Sequence, residues 1–143
     1  MITETSAKIL VVEDNDLLLG VLRRALEREG YQVIPALNGL DMMKVLPDSR
    51  PDLIVLDVGL PDVDGRDLLA ALKKDPQTAA IPVLVWSGRD PESDRRIVLD
   101  LGAEDYVAKG SPSTLVPKIE RVLFRISERE LIKARESIPA KAQ

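Results

Sequence analysis

Pro51-Asp-Leu-Ile-Val-Leu-Asp57-Val-Gly-Leu-Pro61-Asp-Val-Asp-Gly65 is the stretch from which the fold can be read. Leu53, Ile54, Val55 and Leu56 form an unbroken apolar run between two prolines. That is the pattern of a strand covered by helices on both faces, the setting of a parallel central strand. Asp57 closes the run, and open α/β sheets keep their chemistry at the carboxyl ends of strands. The same aspartate could simply open a turn, because Gly59 and Pro61 follow it. The stretch alone leaves both readings open.

Upstream, Lys8-Ile-Leu-Val-Val12 is another apolar run ending in acids, Glu13 and Asp14. Asn15 can cap a helix in which Leu18, Val21, Leu22, Ala25 and Leu26 recur at helical spacing, with Gly30 past its end. Tyr31–Ala36 reads as a strand. Asn38 can cap a short helix with Met43 and Leu46 turned inward and Pro47 as its stop. Downstream, Asp64 can cap a helix carrying Leu68, Leu69 and Leu72 and ending near Asp75-Pro76. Val83-Leu-Val-Trp86 reads as a doubly buried strand closed by Ser87-Gly88, with Pro82 at its entry. Asp90-Pro91 then opens a helix through Ile97, Val98 and Leu101 to Gly102. Asp105–Ala108 is a last short strand ending at Lys109. The final helix is expected to start after Ser113, which keeps Pro117 inside the first turn, where no amide bond is lost.

Strand and helix alternate five times. The expected fold is therefore α/β, a three-layer doubly wound sheet of five parallel strands with five helices on its two faces. The 143 residues fill one domain. There is no Cys and no His, which removes disulfides, thiolate metal sites and imidazole chemistry. No basic leader precedes a long apolar stretch, and no apolar run reaches the ~20 residues of a membrane span, so a cytoplasmic protein without membrane contact is expected. The formal charge of −4 is uneven. Residues 1–117 carry 13 basic and 20 acidic side chains, net −7, and residues 118–143 carry 7 and 4, net +3. That tail is too mildly basic and too interleaved with Glu to read as a nucleic-acid arm, so no direct nucleic-acid partner is expected.

The strand ends bring different chemical groups to one edge: Glu13 and Asp14, Asp57, Ser87 and Lys109. Three carboxylates and one ammonium sum to −2, a density that calls for a cation of about +2. An oxygen-only site suits Mg²⁺, which takes few protein ligands and keeps several waters. A divalent cation there would also let a phosphoryl group approach the carboxylates.

This ordered set resembles the receiver domain of bacterial two-component response regulators. The residues that carry the resemblance are Glu13-Asp14, Asp57 in Asp-Val-Gly-Leu-Pro followed by Asp-Val-Asp-Gly, Ser87-Gly88, Tyr106 and Lys109. It covers residues 7–126 and leaves 127–143 as a C-terminal helical extension and tail. It implies the strand order 2-1-3-4-5 and an aspartyl phosphate on Asp57, taken from the phosphohistidine of a sensor histidine kinase or phosphotransfer protein. An aspartate is ionised at neutral pH, so such a nucleophile needs no partner base. By the same resemblance Asp14, Asp57 and the backbone carbonyl of Gly59 would ligate Mg²⁺, with Glu13 acting through water, and Lys109 would pair with a phosphoryl oxygen. Ser87 and Tyr106 would form a switch read by a downstream protein target. Alternation puts Tyr106 on the face opposite Lys109. The protein would not be an enzyme in the ordinary sense, but a phosphoacceptor that promotes its own phosphorylation and dephosphorylation.

Three features depart from the family pattern. Gly110 follows Lys109 where proline is usual, so a trans bond or a mobile loop is expected. Gly59 stands where a side chain often overhangs the phosphoryl group, which predicts a short-lived phosphate. Helical composition also continues past Ile126 to Ser137. Phe124, Leu131 and Ile138 recur there every seven residues, a possible homodimer seam beside the alternative of a solvated extension. The expected function is a stand-alone receiver, since residues after 126 leave no room for a helix-turn-helix output domain. The alternatives are a phosphorylation-independent binding module, a fragment of a larger regulator, and a Mg²⁺-dependent phosphatase, which is weakened because Gly59 stands where its acid–base Asp would be.

Overall fold

The computed structural model describes residues 6–88 and 91–136. Five strands and five helices alternate: β1 (Lys8–Val12), α1 (Asp16–Arg28), β2 (Gln32–Ala36), α2 (Gly39–Ser49), β3 (Leu53–Leu56), α3 (Gly65–Lys74), β4 (Val83–Ser87), α4 (Pro91–Asp100), β5 (Asp105–Ala108) and α5 (Pro112–Glu136). All paired strands are parallel, in the order β2-β1-β3-β4-β5. Leu19, Leu22 and Leu26 of α1 pack with Leu115, Ile119 and Val122 of α5 on one face of the sheet. Met42, Leu46, Leu69, Leu72 and Val98 from α2, α3 and α4 cover the other. Residues of β1, β3 and β4 alternate between these two cores, which explains why their sequences are apolar without a break.

Register decides where the acids emerge. Val12 pairs with both Ala36 and Leu56, so the residues after Val12 and Leu56 leave the sheet at one level. The ladder continues one step further, with Glu13 N–H donating to Ala36 O at 3.0 Å and Asp57 N–H to Val12 O at 3.1 Å. At the other side Ser87 pairs with Ala108, and Lys109 N–H donates to Ser87 O at 2.9 Å.

The expected caps at Asn15, Asn38 and Asp64 are present, each side chain accepting an amide of its helix's first turn. The expected cap at Asp90 lies outside the described residues. Several inward positions differ from the sequence reading. In α1 Leu19 is buried beside Leu22 and Leu26, while Val21 is exposed. In α2 Met42 is buried beside Leu46 with Met43 outward, and in α4 Val98 is buried while Ile97 is exposed.

Two prolines expected at helix ends lie inside helices. Pro47 falls within α2, which runs on to Ser49, and α5 begins at Pro112 with Pro117 in its interior. Proline at a first helical position loses nothing, because that amide has no intrahelical partner. The carbonyls that Pro47 and Pro117 leave without an amide belong to Met43 and Ser113, both on exposed residues where water can serve. Thr114 adds a hydroxyl bond to Ser111 O at 2.9 Å at the new start. Helix α5 continues without interruption past Ile126 to Glu136; Ser137 and Ile138, where the extension and the seam were expected to continue, lie outside the described residues.

Candidate functional site

Three carboxylates meet at the carboxyl edge of the sheet. Glu13, Asp14 and Asp57 each offer an oxygen within 4.8 Å of the others. Glu13 and Asp57 are only 1% and 4% exposed, whereas Asp14 faces solvent. Lys109 reaches across from the end of β5. Its Nζ lies 2.7 Å from Glu13 Oε1 and 2.8 Å from Asp57 Oδ2. The Lys109 ammonium also lies over Trp86, whose ring centroid is 5.8 Å from Nζ, within the range of a cation–π contact. Asp57 Oδ1 accepts the Gly59 N–H at 2.9 Å, and Glu13 Oε2 accepts the Asn15 N–H at 3.0 Å.

Burial pushes the Glu13 carboxyl above the usual glutamate range. Its contacts with Lys109 and the Asn15 amide offset this only in part, and the nearby Asp57 charge adds to it. Burial alone would lower the Lys109 ammonium, but its bonds to Asp57 and Glu13 outweigh that and hold it above the ordinary lysine value. The two shifts are compatible. Glu13 has lost nearly all its water for a share of one cation, while Lys109 keeps some solvent and gains two anions.

The residues fit a hard divalent cation. The donors are all oxygen, and two of the three carboxylates are buried around a single counter-charge, so the cluster stays net negative. Ser87 is buried at the end of β4, on the sheet face opposite Trp86. Tyr106 is 4% exposed and packs in the core under α2, α3 and α4, away from Lys109 as alternation requires. The described chain contains no cis peptide bond, so Lys109-Gly110 is trans.

The sequence pattern that defines the response regulator receiver domain matches residues 9–120. The chain belongs to the response regulator receiver family. Over 119 residues this receiver is 40% identical to the alkaline phosphatase synthesis transcriptional regulatory protein PhoP of Bacillus subtilis, covering 82% of this chain and 49% of that protein. It is 42% identical over 101 residues to the KDP operon transcriptional regulatory protein KdpE of Escherichia coli, covering 71% and 44%. The chain thus spans about half the length of the curated relatives it matches. Among solved structures it resembles a CheY-like response regulator receiver domain protein of Methanospirillum hungatei, with TM-score 0.80, 25% identity, and coverage of 87% of this chain and 99% of that one. The Mn²⁺-bound form of response regulator Rcp1 matches with TM-score 0.68 and 31% identity, over 73% and 81% of the two chains.

Two residues near the receiver's site escaped sequence reading. Asp62 holds the loop after β3 to α2, and Trp86 lies under Lys109. Asp62 sits in a run of turn-forming residues, and Trp86 in an apolar strand, so neither pattern marks them out.

Proposed function

We propose that this receiver accepts a phosphoryl group on Asp57 from a histidine kinase or a phosphotransfer protein, with Mg²⁺ bound at the acidic cluster, and signals through protein contact. The observation that carries the reading is the convergence of Glu13, Asp14 and Asp57 at the carboxyl edge of the sheet, with Lys109 paired to Glu13 and Asp57. Asp14, Asp57 and the Gly59 carbonyl would hold the ion, with Glu13 behind a water. When bound, Mg²⁺ supplies the positive charge that lets phosphoryl oxygens come near three carboxylates. The Mn²⁺-bound Rcp1 structure supports a divalent site in this fold.

An oxygen of Asp57 attacks phosphorus, the P–N bond of the donor's phosphoimidazole breaks with its electron pair left on nitrogen, and an acyl phosphate results. Lys109 already touches Asp57, so its ammonium stands where a phosphoryl oxygen would arrive. The work is positioning and charge neutralisation of a loose transition state. The chain is a phosphoacceptor that acts on itself and turns over no other substrate. Ser87 and Tyr106 would carry the switch, Ser87 by moving onto the phosphoryl group and Tyr106 by repacking. A cytoplasmic setting accords with described helices of which none is long and apolar enough to cross a membrane. Incubation with acetyl phosphate and Mg²⁺ tests the reading: the intact mass should rise by one phosphoryl group, and Asp57→Asn should abolish the gain. An unchanged wild-type mass would instead support a phosphorylation-independent binding module.

The relatives favour a second arrangement of the same chemistry. They are named as transcriptional regulatory proteins and are about twice as long, so the receiver would be the input part of a longer regulator. The mass of the native protein in its own cells distinguishes this from a stand-alone receiver. Phe124 and Leu131 are exposed seven residues apart on α5, which supports a homodimer seam along that helix. Light scattering should then give twice the monomer mass and Leu131→Glu should return it to one; a wild-type monomer at high concentration would remove the seam.

A further inference from the structure

Asp62 lies three residues beyond Gly59 in the loop between β3 and α3, and its side chain is committed elsewhere. Oδ1 accepts the Gly39 N–H and Oδ2 the Leu40 N–H, each at 3.0 Å. These are the first two amides of α2, which have no acceptor within the helix. The next two amides of α2 are served locally, Asp41 N–H by the Asn38 side chain at 2.8 Å and Met42 N–H by Asn38 O at 3.1 Å. The helix start therefore depends on two acceptor oxygens of Asn38 in its own segment and two of Asp62 borrowed from the loop. A carboxylate at that electropositive end is favoured, and the Gly39 N–H, ahead of the other amides, holds Asp62 below the usual aspartate range.

The two segments are also in steric contact. A Cβ on Gly39 would stand 2.5 Å from Val63 Cγ2 and 3.1 Å from Leu68 Cδ1, so any larger residue there would have to push the Val63 side chain of the loop aside. At its base the loop is closed by Gly65 N–H donating to Val58 O at 3.1 Å. There a Cβ on Gly65 would come within 2.3 Å of Val58 Cα and 2.8 Å of Asp57 O. The loop is pinned at its neck and, through Asp62, at its side. Gly59 lies between the two pins.

We infer that Asp62 is a positioning residue of the phosphoryl site: by clamping the loop onto the first turn of α2 it fixes where Gly59 presents its carbonyl to the divalent ion, although it touches neither ion nor phosphoryl group. This rests on the phosphoryl-acceptor reading of Asp57. Linkage makes the coupling reciprocal, so ion binding at Gly59 tightens the clamp and protects the Gly39 and Leu40 amides.

The test uses the full chain with Mg²⁺ alone as the probe, its affinity read from Trp86 fluorescence and its effect on Gly39 and Leu40 from amide hydrogen exchange. Asp62→Ala should weaken Mg²⁺ at least about fivefold, the low end of ordinary coupling between sites, and abolish the Mg²⁺-dependent protection. Asp62→Asn, which keeps one acceptor, should recover part of both. Asn38→Ala is the control for stability: it removes a cap from the same helix end without touching the loop, and should lower the melting temperature while leaving Mg²⁺ affinity within twofold. Asp62→Ala with wild-type affinity, or Asn38→Ala weakening Mg²⁺ as much as Asp62→Ala, would overturn the clamp while leaving the phosphoryl site intact. A wild-type chain that binds no Mg²⁺ would overturn the phosphoryl-site reading and the clamp with it.

Discussion

Replacing Glu13 by Gln should raise the melting temperature of the metal-free receiver at neutral pH and weaken its Mg²⁺ binding, because burial holds this carboxyl above the ordinary 4.5. A group whose folded pKa is raised contributes most below its unfolded value and loses that contribution as pH climbs through the folded one, so ionised Glu13 costs stability at neutrality. Calorimetry with and without Mg²⁺ separates the two effects; a variant that melts lower without metal would contradict the argument. Lys109 is also raised, above 10.5, with its contribution present at neutral pH and lost in alkali. Lys109→Met should lack that alkaline loss and bind Mg²⁺ more tightly, since a cation 2.7–2.8 Å from two carboxylates competes with the ion. A weaker titration would count against it. Gly59→Met should lengthen the life of the phosphate: a Cβ there would lie 3.6 Å from Asp57 Oδ1, with room to shield it, and an equal decay rate would show that water enters elsewhere. The acids and the lysine were legible because strand ends in such a sheet carry chemistry. Asp62 and Trp86 were not, because what matters about them is what they touch, and no spacing in the chain encodes a contact between the loop after β3 and the start of α2.

At the scale of elements, the sequence separates strands and helices by period and misplaces faces by one residue. Leu18 and Leu19, or Met42 and Met43, are adjacent apolar residues that fit a helical stripe equally well, and only docking on the sheet chooses between them. Proline misled in the same way at Pro47 and Pro117. Its cost depends on whether the carbonyl it strands can reach water, and at both helices that carbonyl belongs to an exposed residue. The neck of the loop is less forgiving. Gly65→Ala should cost about 2 kcal/mol or more, because backbone atoms of Val58 and Asp57 leave no space for Cβ, and it should lower phosphoryl uptake by moving Asp57. Denaturant melts and acetyl phosphate labelling check the two halves; a variant as stable as wild type would mean that the loop shifts freely.

For the whole molecule, alternating strands and helices with two-faced apolar strands were enough to specify a parallel doubly wound sheet, while the order β2-β1-β3-β4-β5 came from resemblance and is found in the structure. That order places β1 beside β3, and therefore Glu13 beside Asp57. In the proposed switch Ser87 and Tyr106 would act together, since both lie on the sheet face covered by α2, α3 and α4. Crystals grown with and without beryllofluoride should differ at Ser87 and Tyr106, and identical positions would remove the switch.

The most direct measurement is to treat the chain with acetyl phosphate and Mg²⁺, reduce it with borohydride, which converts an aspartyl phosphate to homoserine, and sequence the peptides by mass spectrometry. The expected result is homoserine at position 57, dependent on Mg²⁺ and missing from Asp57→Asn. Homoserine at another aspartate, or at none, would contradict it.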